Sequence, residues 1–88
     1  MATELAFLTV NTEEDIVHLH ELSMQLGRWA GLAVFEQISF ASEIVAHSHS
    51  SNNEAIEVGF SMEEIDNEPR LKVQIQNHSG TYEKRIYQ

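Results

Sequence analysis

Between residues 56 and 76 the sequence alternates twice. Ile56, Val58, Phe60 and Met62 are set against Glu57, Gly59 and Ser61, and then Leu71, Val73 and Ile75 against Lys72, Gln74 and Gln76. Successive side chains of a strand point to opposite faces, so a period of two describes a half-buried strand and does not fit a helix. The acidic, turn-prone Asp66-Asn67-Glu68-Pro69 separates the two runs. They are therefore expected to form an antiparallel hairpin with one apolar face.

The segments before the hairpin supply the cover for that face. Thr12-Glu13-Glu14-Asp15 has a hydroxyl at the N-cap, an acid three residues on, and negative charge at the positive end of a helix dipole. From it Ile16, Leu19, Leu22, Ser23, Leu26 and Ala30 recur at spacings of three and four, and Gly31 offers a left-handed C-cap, which gives a first helix over 13–31. Gly27 weakens its middle by about 1 kcal/mol relative to alanine. A second helix reads from Phe35 to Ser48, with Ile38, Ala41, Ser42 and Val45 on one row and Phe40 with Ile44 beside it. Leu5 to Val10 is a short apolar run that fits an edge strand, and Tyr82 to Tyr87 carries a weaker strand pattern. Glu63-Glu64-Ile65-Asp66 is expected to be a solvated acidic turn. The order strand, helix, helix, strand, strand gives an α+β fold, a two-layer sandwich with both helices on one face of a mostly antiparallel sheet.

Size and charge narrow the function classes. Eighty-eight residues make a single domain, 1–88, with a thin core. A net charge of −9 repels nucleic acid backbones and anionic lipid alike. With no cysteine there is no disulfide framework and no thiolate zinc site, and Met1-Ala2-Thr3-Glu4 lacks the basic segment of a signal peptide. No apolar run approaches the roughly 20 residues that span a bilayer. A soluble, cytoplasmic protein without nucleic-acid or membrane partners is expected.

Asp15-Ile16-Val17, the run Leu26-Gly27-Arg28-Trp29-Ala30-Gly31-Leu32 and Ser42-Glu43-Ile44 occur in an order and spacing that resembles the N-terminal part of the histidine-kinase-like ATPases, the GHKL superfamily. The likeness is to the branch of anti-sigma-factor serine kinases and switch kinases. It covers about residues 5–80, which corresponds to the first two-thirds or so of such a domain. In the family, a helical Glu polarises the attacking water or hydroxyl, and an Asn four residues later holds magnesium. The resemblance places Glu43 in the catalytic position and His47 in the metal position, although an imidazole suits magnesium poorly, because that hard cation prefers oxygen. The family's second motif is Asp-x-Gly after a strand, where the carboxylate accepts the adenine amino group. By strand register Asn77 takes the Asp position and Ser79 the Gly position; sliding by one puts His78 and Gly80 there instead. The resemblance thus implies ATP and magnesium as cofactors, but neither register restores the acid. The eight residues after Gly80 are expected to leave no room for the family's further glycine-rich motif and phosphate lid.

Plainer readings stand beside these. Glu43 and His47 lie four apart on one helical face and can be a simple side-chain pair. The two His-x-His pairs, His18/His20 and His47/His49, point about 200° apart on a helix and so do not chelate one ion together. No nucleophile elbow surrounds any serine. Two functions from different classes follow. The favoured one is a regulatory signalling module, resembling an anti-sigma-factor or switch serine kinase, that is non-catalytic, binds no cofactor and works by docking a protein partner or forming a homodimer. The other is an ATP-binding serine- or histidine-kinase-type domain, active only within a longer chain.

Overall fold

A computed structural model describes residues 2–49, 54–77 and 80–86. The order is β1 (Ala2–Val10), α1 (Glu13–Trp29), α2 (Val34–His47), β2 (Ile56–Ile65), β3 (Glu68–Asn77) and β4 (Gly80–Ile86). The strands form one antiparallel sheet in the order β1-β2-β3-β4. Each strand thus lies beside its sequence neighbour, and the two helices fill the connection from β1 to β2. The fold is a small α+β sandwich.

The hairpin is tighter than the sequence pattern indicates. Ile65 pairs with Glu68, so the turn itself is only Asp66-Asn67, and both residues have positive φ, 54° and 66°. That is the backbone of a type I′ turn, whose twist matches the strands it joins and which Asn and Asp tolerate best among non-glycine residues. Glu68 and Pro69 therefore belong to β3. Glu63 to Ile65, expected in a solvated turn, instead prolong β2. The reason lies across the sheet: Glu63 accepts from Arg85 Nε at 2.8 Å and faces Lys72 Nζ at 3.2 Å, so its charge is answered within the sheet.

Helix α1 starts as its capping signature requires. Thr12 Oγ1 accepts from the Asp15 N–H at 3.2 Å, while the Asp15 carboxylate accepts from the N–H groups of Asn11 and Thr12 at 2.9 and 3.0 Å. These two bonds, the Asn11 bond first, lower the Asp15 pKa. The helix ends at Trp29, two residues earlier than the spacing suggests, because Gly31 at φ 92° lies beyond the cap. Leu32 N–H donates to Gly27 O and Gly31 N–H to Arg28 O, each at 3.0 Å, the paired bonds of a Schellman motif. In α2 the Glu36 carboxylate caps the Ala33 N–H at 3.1 Å, which starts this helix at Val34.

The core lies between the layers. Leu19, Phe40 and Ile44 from the helices meet Val10, Ile56, Val58, Phe60, Leu71, Val73, Ile75 and Ile86 from all four strands. On α1, Ser23 occupies a fully buried position of the apolar stripe. Of the weakest strand pattern, Tyr82 to Tyr87, the last residue lies outside the described residues and the others belong to β4, which pairs with β3 from Leu71 opposite Ile86 to Asn77 opposite Gly80. The alternation there is hard to see because the helix-facing positions are Tyr82, Lys84 and Ile86, and the middle one is a lysine.

Candidate functional site at the seam of α2 and β4

The lysine in the middle of β4 has a partner directly above it. Register puts Tyr82 opposite Ile75 and Lys84 opposite Val73, whose side chains are buried against the helices. Tyr82 and Lys84 therefore rise toward α2, where Glu43 and His47, one helical turn apart, come down to meet them. The Glu43 carboxylate accepts from Tyr82 Oη at 3.1 Å and from Lys84 Nζ on its other oxygen. The His47 ring lies flat on the Tyr82 ring, with centroids 3.7 Å apart and planes inclined by 14°. Glu43 and His47 are thus not bonded to each other. Both use Tyr82 as their common support.

This arrangement sets the chemistry of the carboxylate. The Lys84 hydrogen bond, with lesser help from Tyr82 and the nearby His47, holds the Glu43 pKa below the usual carboxylate range. Burial, and then the bond to Glu43, pushes the Tyr82 phenol up. A general base works best with a pKa near the working pH. Glu43 is moved the other way, and each of its oxygens already accepts from a donor.

The remaining expected site residues sit further along. Asn77 ends β3 opposite Gly80, on the same strand face as Val73 and Ile75, one strand repeat or about 7 Å beyond Ile75. Gly80 has φ 142°, a backbone that side-chain-bearing residues rarely adopt. His78 and Ser79 lie outside the described residues. So Glu43 and His47 are gathered into one cluster, and Asn77 and Gly80 stand at the neighbouring strand ends. Sequence reasoning missed Tyr82 and Lys84. The signal was the i, i+2, i+4 set Tyr82, Lys84, Ile86, with a cation opposite the helix's one mid-length acid. Among the described residues no group of three or more histidine and acidic side chains is placed to hold a metal ion. His47, the expected metal position, is instead stacked on Tyr82. Also among these residues, no helix is long and apolar enough to cross a membrane.

No family model, curated protein or solved structure matches the chain.

Proposed function

We propose that this chain is a cytoplasmic regulatory signalling module that works by docking protein partners, self-association included, and does not turn over nucleotide. The observation that carries the reading is the occupation of Glu43 from within the chain. A carboxylate held by Lys84 and Tyr82 and lowered in pKa acts as a structural anchor between α2 and β4 rather than as a base. The resemblance of α2 and its flanks to the anti-sigma-factor and switch serine kinases suggests the kind of ancestor whose scaffold such a module would keep. The surface supports the same view, since Trp29 at the end of α1 and Val34, Phe35 and Ile38 in the first turns of α2 have 57, 64, 85 and 46% of their surface exposed. Aromatic and aliphatic side chains grouped in this way mark protein-binding surfaces.

Titration calorimetry with magnesium-ATP is the test. No heat at millimolar nucleotide is expected. Micromolar binding that is lost in Glu43→Ala or Asn77→Ala would overturn the reading in favour of an ATP-binding kinase-type domain.

A further inference from the structure

We propose that the outer face of the sheet carries a binding site for a linear aliphatic polyamine, laid along the trough that Gly59 opens between Phe7 and Gln74. The inference goes beyond the interaction-module reading and uses none of the residues of the α2–β4 seam.

With both helices on one face, the other face of the sheet stays open. Register sets Phe7, Gly59 and Gln74 side by side across its middle. Glu57 stands two residues from Gly59 toward one end of β2, and Ser61, with Glu4 beside it, toward the other. Gly59 has no side chain and Ser61 a short one, so a trough of about 350 Å³ runs along the strand. The Phe7 ring makes one wall. It is 56% exposed, and its Cδ2 comes within 3.8 Å of where a Cβ on Gly59 would sit. Gln74 and Gln76 make the other wall, and the two carboxylates stand at opposite ends.

The charge at those ends is not answered from within the chain. On the rest of this face Glu63 and Glu83 share Lys72 and Arg85, and Glu68 holds Arg70. On the helix side Lys84 goes to Glu43. The remaining cation, Arg28, is on α1, across the sheet from the trough. Among the described residues, the side chains of Glu4, Glu57, Ser61, Gln74 and Gln76 make no hydrogen bond or ion pair. With every cation of the sheet committed elsewhere, the counter-charge for Glu4 and Glu57 comes from outside the chain.

These groups define the ligand. Two carboxylates repel phosphates and other anions, as does the net charge of −9. Glu57 and Ser61 are four residues apart on one strand, roughly 14 Å, and Glu4 sits beside Ser61. That is too far for both carboxylates to hold one metal ion. The spacing suits a cation whose charges are spread along a chain. Its terminal ammonium groups donate to Glu57 and Glu4, and a middle amine donates to the amide oxygen of Gln74. Its methylenes and charge lie against the open face of Phe7.

Spermidine, titrated at low salt and followed through the backbone amide resonances of the chain, is expected to bind one-to-one with about millimolar affinity, shifting Gly59 and Gln74 most. Gly59→Val meets only Phe7, at 3.8 Å, and fills the trough with a residue that strands favour. It should unfold thermally like the parent and bind about tenfold more weakly. Glu57→Gln and Phe7→Ser should each weaken binding about threefold. Glu21→Gln, which removes the same charge from α1, should not. Putrescine and diaminooctane carry equal charge, but only the longer reaches both ends, and it should bind about threefold more tightly. If Gly59→Val fails to fold, Glu57→Gln against Glu21→Gln and the two diamines decide. No saturable shift, equal losses in Glu21→Gln and Glu57→Gln, equal affinity for the two diamines, or a folded Gly59→Val that binds like the parent would each overturn the proposal. Nucleotide heat would sink the module reading and leave this site standing.

Discussion

The β1 side and the β4 side of this sheet are held to the helices by different means. On the β1 side the strand is irregular, with a register shift between Glu4 and Ala6, and the cover is carbon against carbon, Leu19 at 0% exposure and Ile16 in one cluster with Val10, Val58 and Leu8. On the β4 side the ladder runs without a shift, and the middle of the cover is polar, Glu43 to Lys84 and Tyr82 with His47 stacked above. A bulge disrupts the backbone row that a foreign strand would need, whatever that strand's sequence. On the other side Lys84, paired with Glu43, sits in a ladder that runs unbroken.

The largest effect that separates the two sides is in core packing. Leu19→Ala removes a fully buried side chain and should cost about 2–5 kcal/mol by cavity formation, read from the urea midpoint at unchanged slope. Lys84→Met, at a lysine side chain 35% exposed, should cost no more than about 1 kcal/mol, since a partly exposed ion pair is screened by solvent. Equal losses would break the distinction between an apolar and a polar side.

A smaller effect is expected where the two helices touch. A Cβ added at Gly27 would lie 3.3 Å from the Leu32 Cδ1 and 3.3 Å from the Phe40 Cδ2. Leu32 is half-buried and can yield, but Phe40 is 3% exposed and packed in the core. Gly27→Ala sets a helix-propensity gain of about 1 kcal/mol against that crowding. Gly27→Val adds bulk without that gain and should destabilise by about 1–3 kcal/mol. A stable Gly27→Val variant in thermal unfolding would show that α2 shifts freely over the sheet, and the β4 side would then be looser than its contacts suggest.

The β1 side and the hairpin were legible because their instructions are local. Thr12 with Asp15 writes its own cap, Gly31 its own helix stop, and the alternation from Ile56 to Ile75 its own face. The seam of α2 and β4 was half-legible. Glu43 and His47 were visible as one face of a helix, but the partners of Glu43 come from 39 and 41 residues away, and no local rule pairs a helix acid with a strand lysine. Glu63 misled for the same reason: it looks like turn chemistry until Arg85 and Lys72 are brought beside it. Periodicity reports which way a side chain faces, not what waits for it there.

The smallest effect sharpens the comparison through pH. Glu43 has a folded pKa depressed below its unfolded value, chiefly by Lys84. A depressed carboxylate contributes stability that is fully present above the unfolded pKa, about 4.3, and is lost as pH falls through the folded pKa. With 38% of the side chain exposed, solvent screening limits that contribution to about 0.5 kcal/mol. Tyr82 has the opposite sign: its raised pKa gives a contribution complete below about pH 10 and lost above it. Glu43→Gln should therefore be less stable than the parent at pH 7, and the gap should close as the pH is lowered below about 4. A residual acid slope remains in the variant, because Arg85 and Lys72 depress Glu63 on the other face of the sheet. In alkali the variant should lose less than the parent, since Tyr82 no longer faces a carboxylate. Urea unfolding of both proteins from about pH 3 to well above pH 10 reads all three. A gap that stays constant across acid would mean that Glu43 holds α2 to β4 by shape and hydrogen bonding alone.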